Sequence, residues 1–286
     1  MIVLKEKCYL CGHTTEFNIN DNEVLYREAK CSYCGASVRN SDIAKIIVEK
    51  LLNIDIPLCD ALEEIKRYKI LGTSSTGVIH NILKHSPNYI YGEYFDNIKS
   101  GDYNNEILCI DLQDMPFKDG VFDLIISEDV IEHIFDVELA FSEINRVLKT
   151  GGYHIFTVPI HEGRKTNRRH LSTNKVFHGD PIRKEGALVY TDFGYDIENI
   201  LNGFGMETEK FLLHKFYEKH EITDTDLEYS NYMKLKNNLM SFFKYNSIVF
   251  CSKKIKDNIS ANKRGNNMNY TGERFIPGKA FGDIEV

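Results

Sequence analysis

The sequence lacks any hydrophobic run long enough to cross a membrane. No apolar stretch in its 286 residues approaches the roughly 18 residues that a spanning helix needs, and the stretch 2–4 is too short for the core of a secretory signal. An excess of positive charge is also missing, because 35 Lys and Arg face 42 Asp and Glu for a net charge of −7. We therefore expect a cytoplasmic protein with no membrane insertion and no surface built to coat nucleic acid.

The overall composition is that of a folded protein. Hydrophobic residues make up 42% of the chain and charged residues 27%, a balance typical of globular rather than disordered chains. Because single cores seldom extend beyond about 250–300 residues, the length leaves room for one large α/β domain and a small accessory module.

Four of the seven cysteines form two pairs with the same spacing. Two residues separate Cys8 from Cys11 and Cys31 from Cys34, and residues 12–30 lie between the pairs. A two-residue gap lets one tight turn direct two thiolates at a metal ion, and two such turns complete a tetrahedral zinc site. Two disulfides in a secreted domain are the alternative, and the missing signal peptide favours zinc. Four protein ligands leave no open position, so the predicted zinc is structural.

The chain divides into four predicted segments. Residues 1–40 are the zinc ribbon, 41–67 a helical linker, 68–256 the main domain, and 257–286 a polar linker and tail. The linker begins with Asn40, Ser41 and Asp42 as candidate helix caps, and its isoleucines and leucines recur on one helical face up to Ile54.

From residue 68 onward, short apolar strands alternate with helical stretches. This alternation predicts a mostly parallel sheet with helices on both faces. The predicted strands are 69–71, 89–92, 107–110, 122–127, 153–158 and 247–252. The predicted helices between them include 78–84, 137–148 and 196–201. The run 253–269 is polar and is predicted to be a linker.

Candidate ligand-binding residues follow three of these strands. Open α/β sheets bind ligands at the carboxyl ends of their strands, near the point where the strand order reverses. The loop 72–77 carries small residues that let a ligand approach the backbone. Glu93 can accept hydrogen bonds from both hydroxyls of a ribose, and Asp111 followed by Leu112 can bracket an adenine.

The order of these motifs resembles that of class I S-adenosylmethionine-dependent methyltransferases. Three blocks within residues 68–256 carry the similarity: DLQDMPFKDGVFDLI at 111–125, DVIEHI at 129–134 and EINRVLKTGG at 143–152. The resemblance implies a Rossmann-like sheet of seven mostly parallel strands, with the last strand pair antiparallel, and S-adenosylmethionine as cofactor. The family usually has an acid and two or three glycines in the first loop, where this chain reads LGTSSTG at 71–77.

The resemblance also assigns roles to individual residues. It places the methionine end of the cofactor, the ribose and the adenine along the strand ends in that order. The residues implied to bind the cofactor are Gly72, Thr73, Gly77, Glu93, Asp111, Leu112 and Glu128. Because the sulfonium already activates the methyl group, the protein chiefly aligns the attack and excludes water, and a base is needed only for a weakly acidic hydroxyl.

The end of the fourth strand supplies the catalytic candidates Asp129, Glu132 and His133. Their spacing is similar to the Glu-x-x-Glu-His motif of ubiquinone-pathway O-methyltransferases and of small-RNA 2′-O-methyltransferases, where it binds a divalent cation. The resemblance implies a candidate cation at these three residues, with one of His161, His170 or His178 as a further ligand. The alternative is that His133 begins the next helix and packs there.

The segment 161–184 carries seven Lys and Arg against Glu162 and Asp180. A basic segment after the fifth strand suits an anionic acceptor such as a nucleotide sugar, and a solvated basic loop is the alternative. Residues 178–181 and 186–196, together with the ribbon's Arg27-Glu28 and Ser37-x-Arg39-Asn40, resemble bacterial methyltransferases that accompany surface-polysaccharide glycosyltransferases. This resemblance implies a small or saccharide acceptor, methylated on oxygen or nitrogen, and a glycosyltransferase partner.

Two other functions stay open at this stage. A degenerate methyltransferase-fold scaffold that assembles with a glycosyltransferase would explain the altered loop 72–77. An RNA methyltransferase is the other alternative, although residues 1–67 hold nine Lys and Arg against eleven Asp and Glu, a poor footprint for a polyanion. The tail at 270–278 resembles the opening of a second methyltransferase module, and we assign it no chemistry.

Overall fold

The computed structural model describes residues 2–19, 26–161, 164–169, 175–180, 183–213 and 247–258. The predicted module-like tail at 270–278 and the candidate ligand His170 lie outside these residues. Within them, every helix is too short or too polar to cross a membrane.

The N-terminal module is a hairpin followed by a second turn. Strand β1 (Ile2–Lys7) pairs antiparallel with β2 (Thr14–Ile19), and a single 3-10 turn covers Tyr26–Glu28. The turns after Cys8 and Cys31 close through Gly12 and Gly35, which adopt φ values of +80° and +71°. Such values suit glycine, and they place both cysteine pairs on tight turns as the spacing predicts.

Helix α1 spans Val38–Leu52 and begins earlier than the sequence suggests. Ser37 is its N-cap and accepts from the Asn40 N–H, and Asn40, the third helical residue, accepts from the Ser37 N–H through its side-chain oxygen. The prediction of Asn40, Ser41 and Asp42 as caps is therefore wrong, because the reciprocal Ser37–Asn40 pair satisfies the free N–H groups one turn earlier. The short helix α2 (Leu62–Ile65) follows.

Within the described residues, the main sheet has eight strands, and five neighbouring strands pair in parallel. Its members are β3 (Ile70–Gly72), β4 (Tyr89–Glu93), β5 (Tyr103–Asn104), β6 (Ile107–Cys109), β7 (Phe122–Glu128), β8 (Leu148–Thr157), β14 (Met206–Phe211) and β15 (Val249–Lys254). The strand order is β14-β15-β8-β7-β3-β4-β6-β5. The pairs from β8 to β6 are parallel, whereas β14, β15 and the two-residue β5 join antiparallel. The predicted fold class is confirmed, with β5 added at one edge.

Helices cover both faces of this sheet. On one face, α1 and α3 (Val78–Leu83) pack in a core that also includes Cys8, Phe17 and the β7 residue Leu124. On the other face, α4 (Val137–Val147) and α5 (Ile197–Asn202) pack around Phe141, Phe156 and Phe250. The N-terminal module thus shares its hydrophobic core with the sheet, and α1 covers a sheet face.

Short strands between β8 and α5 form a cover over one end of the sheet. They are β9 (Ile160–His161), β10 (Asn167–Arg168), β11 (Phe177–His178), β12 (Ala187–Leu188) and β13 (Thr191–Gly194). Strand β13 pairs with β9 and β10, and β11 pairs with β12 as a hairpin.

The last described strand corrects the predicted linker 253–269. Lys253 and Lys254 belong to β15, and Lys254 is buried, with its Nζ donating to the Leu148 carbonyl at 2.9 Å. Both lysines belong to a strand that pairs with β14 on one side and with β8 on the other, so the predicted linker does not begin at residue 253.

Candidate functional site

The candidate site lies where the order of the parallel strands reverses. After β3, the chain adds β4 and β6 on one side, and then β7 and β8 on the other. The carboxyl ends of neighbouring parallel strands meet at one edge of the sheet, and the reversal leaves a crevice there. The predicted cofactor residues in loops 72–77 and 93–112 and at the end of β7 all belong to this edge.

The loop after β3 is tied to the end of β4. Glu93 Oε1 accepts hydrogen bonds from the Ser75 backbone N–H at 2.7 Å, from the Ser75 hydroxyl at 3.0 Å and from the Ser74 hydroxyl at 3.1 Å. The Thr73 N–H donates to the Ile126 carbonyl at 3.1 Å and so fixes the loop to β7. The serines of this loop therefore find an acceptor in the acid predicted to hold the ribose.

The two glycines at the ends of this loop have different surroundings. A Cβ at Gly72 would lie 2.2 Å from the hydroxyl oxygen of Tyr89, so Tyr89 fills the space that the missing side chain leaves. A Cβ at Gly77 would meet no atom within 4 Å among the described residues. Space for a ligand beside the backbone is thus found at Gly77 and not at Gly72.

The predicted adenine pair follows β6. Asp111 Oδ1 accepts from the Gln113 backbone N–H at 2.8 Å and from its side-chain amide at 3.0 Å. Leu112 is 5% exposed and packs in the core beneath α4. Asp111 therefore stands at the sheet edge, while Leu112 contributes mainly to packing.

The end of β7 receives three side chains from the N-terminal module and α1. Arg27 and Arg39 both pair with Asp129 Oδ2, and Asn40 donates its amide to Glu128 Oε2 at 2.6 Å. Burial raises the pKa of Glu128. The cysteine module is thereby connected directly to the strand end on which the predicted catalytic residues lie.

Asp129 is held as an ionised carboxylate. Burial by itself would raise the pKa of Asp129, but the guanidinium groups of Arg27 and Arg39 hold it well below its usual range. Its Oδ1 also accepts from the Thr157 hydroxyl at 2.9 Å. A carboxylate committed to two arginines and a threonine is a poor general base, so Asp129 fixes the strand end rather than moving a proton.

Glu132 and His133 meet a histidine from a distant strand. Glu132 is 1% exposed, and its Oε1 lies 3.7 Å from His133 Nε2 and 3.8 Å from His178 Nδ1. These three side chains form a group with ligand atoms within 4.8 Å of one another, and Asp129 is not part of it. Of the further ligands considered in the sequence, the structure brings His178 into the cluster, whereas His161 lies beside Asp192.

The basic segment 161–184 is largely paired with acids. Arg164 and Arg169 both donate to Asp192, at 2.9 and 2.6 Å. Arg168 contacts Glu138 at 3.2 Å, and Arg183 contacts Asp180 at 2.7 Å. These pairs hold the short cover strands together. Four of the seven basic residues that suggested an anionic acceptor are therefore already paired with acids.

The four cysteines lie close together at the tip of the N-terminal module. The sulfur atoms of Cys8 and Cys34 are 3.7 Å apart, and those of Cys11 and Cys31 are 3.8 Å apart. A tetrahedral zinc with bonds of about 2.3 Å separates its sulfurs by roughly 3.8 Å. Burial works to raise the pKa of Cys31, but the backbone N–H groups of its own turn outweigh it and lower the pKa to about 7.

Sequence reasoning did not connect Arg27, Arg39 and Asn40 with the strand end. They lie 102, 90 and 88 residues from the carboxylates that they contact. Their only signal was the similarity of Arg27-Glu28 and Ser37-x-Arg39-Asn40 to the corresponding residues of bacterial methyltransferases with a similar N-terminal ribbon. His178 had a signal of the same kind, as one of three candidate histidines.

A comparison with known protein families matches the part of the chain that carries the ends of β4, β6 and β7. Residues 92–156 match the family model described as a methyltransferase domain, a stretch that runs from the end of β4 through most of β8. A sarcosine/dimethylglycine N-methyltransferase of Halorhodospira halochloris is 42% identical over 59 residues, which are 21% of this chain and 21% of that protein. An uncharacterised protein of Methanocaldococcus jannaschii is 29% identical over 103 residues, 36% of this chain and 44% of that protein.

Solved structures with some similarity to this chain have low sequence identity. The [4+2]-cyclase SpnF is 14% identical, with a TM-score of 0.43 over 83% of this chain and 86% of that chain. The chain spans 21% and 44% of the length of the two curated relatives. The stretch 92–156 that matches the methyltransferase-domain model contains Glu93, Asp111 and the end of β7.

Proposed function

We propose that the protein is an S-adenosylmethionine-dependent methyltransferase whose cofactor binds at the carboxyl edge of β3, β4, β6 and β7. The observation that carries this proposal is the placement of Glu93 and Asp111 at the ends of β4 and β6, inside the stretch that matches the methyltransferase domain. Acids at these two positions are suited to the ribose and the adenine amino group.

The residues present fit such a cofactor. All three hydrogen bonds to Glu93 end on Oε1, which leaves Oε2 for a ribose hydroxyl. Both bonds from Gln113 end on Asp111 Oδ1, which leaves Oδ2 for the adenine amino group. We assign the methionine end to the open space beside Gly77, with Thr73 and Glu128 as further proposed contacts.

Bound S-adenosylmethionine supplies a methyl group on a positively charged sulfur, and the carbon–sulfur bond breaks as the bond to the acceptor forms. The chain's own residues bind and orient both partners and exclude water. Arg27, Arg39 and Thr157 fix the end of β7 through Asp129. Glu132 and His133 remain to contact the acceptor, whose proton leaves to solvent.

The acceptor that we propose is a small molecule with a hydroxyl or amino group, and a saccharide is the first class to test. The resemblance of residues 178–181 and 186–196 to enzymes that work beside surface-polysaccharide glycosyltransferases supports a saccharide. A glycosyltransferase partner is part of the same proposal. Because four arginines of the basic segment are paired, a neutral saccharide should be tested beside a nucleotide sugar.

A small amine is the second candidate acceptor. The observation that favours it is the relative from Halorhodospira halochloris, whose name describes N-methylation of sarcosine and dimethylglycine. This relative matches 59 residues of the chain. A match of this length supports a similar cofactor-binding region in the two proteins more than it supports the same acceptor.

We also propose that the four cysteines bind a structural zinc ion. The sulfur separations of 3.7 and 3.8 Å agree with a tetrahedral Zn–S₄ centre. Such an ion would fix the turns that precede Arg27 and Arg39, and so connect metal binding to the geometry of Asp129.

A transfer assay tests the proposed function. Zinc-loaded protein is incubated with methyl-labelled S-adenosylmethionine and with panels of neutral sugars, nucleotide sugars and small amines. We expect label to enter one class of acceptor. Folded protein that fails to bind the cofactor at millimolar concentration would contradict the proposal and favour the scaffold alternative.

A further inference from the structure

Glu132 is a buried carboxylate without a hydrogen-bond donor among the described residues. Its side chain is 1% exposed, and neither Oε1 nor Oε2 accepts a hydrogen bond there. A buried carboxylate without a hydrogen bond is unfavourable, so a group that compensates it is expected. Burial accordingly raises the pKa of Glu132.

Two imidazoles face this carboxylate from different elements. His133 lies on the 3-10 turn that follows β7, and His178 lies on β11 of the cover. Their rings are perpendicular, with centroids 5.2 Å apart. The hairpin of β11 and β12 brings His178 within 3.8 Å of the carboxylate, although 46 positions separate it from Glu132 in the chain.

The same hairpin orients His133. His133 Nδ1 lies 2.9 Å from the Leu188 carbonyl oxygen, an acceptor, so Nδ1 carries the proton and donates it. The other nitrogen, Nε2, then presents a lone pair, and it is this nitrogen that faces Glu132. A backbone carbonyl that fixes one imidazole nitrogen is the usual support of a histidine that binds a metal through the other.

We propose that Glu132, His133 and His178 bind one divalent transition-metal ion. One carboxylate and two imidazoles are a ligand set for zinc, iron or manganese that leaves coordination positions open. A tetrahedral ion with bonds of about 2.1 Å separates its ligand atoms by roughly 3.4 Å. The separations of 3.7 and 3.8 Å to Glu132 need to shorten by only a few tenths of an ångström.

The ion would lie next to the end of β7, beside the proposed cofactor crevice. Resting on the proposed function, we assign its open positions to an oxygen of the acceptor. A hydroxyl held there would lose its proton to solvent more readily, and its oxygen would form the bond to the methyl carbon as the carbon–sulfur bond breaks, with the electron pair staying on sulfur. The site thereby favours a hydroxyl acceptor over an amine.

Counting zinc ions by native mass spectrometry tests the site. The protein is equilibrated with buffered Zn²⁺, with Zn²⁺ as the only added metal, and ions per folded chain are counted. We expect two for the natural chain, one at the cysteines and one here. Glu132→Gln should carry one, and His178→Asn should need at least about tenfold more free Zn²⁺ to acquire its second.

Glu138→Gln is the matched control, because the same change is made on the next helix at an exposed side chain, and it should retain two ions. His178 is 39% exposed, so its variant remains informative if Glu132→Gln folds poorly. A single ion in the natural chain, or two ions in every variant, would overturn the site. S-adenosylhomocysteine binding, measured on the same samples, reports on the proposed function separately.

Discussion

The described part of the chain contains two clusters of side chains that could hold a metal ion, and they differ in chemistry and in position. The cysteine cluster offers four sulfurs on two glycine-closed turns, at distances that fit a closed tetrahedral centre. The Glu132 cluster offers one oxygen and two nitrogens from two distant segments, and it lies next to the strand edge. The first arrangement suits an ion that holds the fold, and the second suits an ion that holds a ligand.

Two carboxylates three positions apart repeat this difference. Asp129 is neutralised by Arg27 and Arg39, which come from the cysteine module and α1. Glu132 has no such cation and faces two imidazoles. Within the one motif DVIEH, Asp129 therefore pairs with structural arginines, whereas Glu132 stays available for chemistry.

Loss of the cysteine cluster is expected to have the largest effect. Cys31→Ser removes one zinc ligand, and because the module shares its core with the sheet, we expect the midpoint of thermal unfolding to fall by at least about 10 °C. Calorimetry with and without a strong chelator measures this. Cys59→Ser is the control, since Cys59 lies outside the cluster. Equal stability of both variants would contradict a structural zinc.

Removal of the Asp129 carboxylate is expected to come next. Asp129→Asn removes a carboxylate that pairs with both buried arginines, Arg27 and Arg39, and keeps their contacts to Glu28, so the free energy of unfolding should fall by about 2–3 kcal/mol at pH 7. Urea unfolding measures the change. Asp119→Asn, in an exposed pair with Arg146, should lose less than about 1 kcal/mol.

The Asp129 contribution should also depend on pH. Its pKa is lower in the folded protein than in the unfolded chain, so its stabilisation is complete above about pH 4 and is lost as the pH falls. The difference between the natural chain and Asp129→Asn should therefore shrink in acid. A difference that stays constant down to pH 3 would refute the ion-pair assignment.

Glu93 should affect ligand binding more than folding. Glu93→Gln keeps a similar shape but replaces an ionised acceptor, so we expect the dissociation constant for S-adenosylhomocysteine to rise about 10-fold to 100-fold. Asp111→Asn should weaken binding in the same direction. Glu106→Gln, at an exposed position, is the control, and unchanged affinity in the Glu93 variant would exclude a role at the ribose.

Glu132→Gln should have the smallest effect on stability. Its carboxylate has no hydrogen-bond donor among the described residues, so the amide should change the free energy of unfolding of the metal-free cluster by less than about 1 kcal/mol. Urea unfolding of Glu132→Gln and of Cys31→Ser, measured in parallel, compares how much each cluster contributes to the free energy of unfolding. A loss above 3 kcal/mol would indicate that Glu132 stabilises the fold.

The sheet could be predicted because its central strands are short buried runs between loops. The strands at 89–93 and 122–128 deviate from prediction by one residue. Strand β14 was missed because Glu207 and Glu209 give it the polar pattern of a half-exposed edge. The cap of α1 was misplaced because Ser37 and Asn40 cap each other, a reciprocal bond that composition does not reveal.

The site could be predicted only where its residues are local. Glu93, Asp111 and the DVIEH motif follow strands directly, so their place at the sheet edge follows from the strand pattern. The pairing of Asp129 with Arg39 and of Glu132 with His178 depends on how α1 and the β11–β12 hairpin fold over that edge. Periodicity and spacing carry no information on such long-range contacts.

Isothermal titration of the zinc-loaded protein with S-adenosylhomocysteine tests most directly whether the strand edge holds the cofactor. We predict one site per chain with a micromolar dissociation constant, weakened in Glu93→Gln and unchanged in Glu106→Gln. No binding by the folded natural chain, or equal binding by both variants, would contradict a methyltransferase site at the ends of β3, β4, β6 and β7.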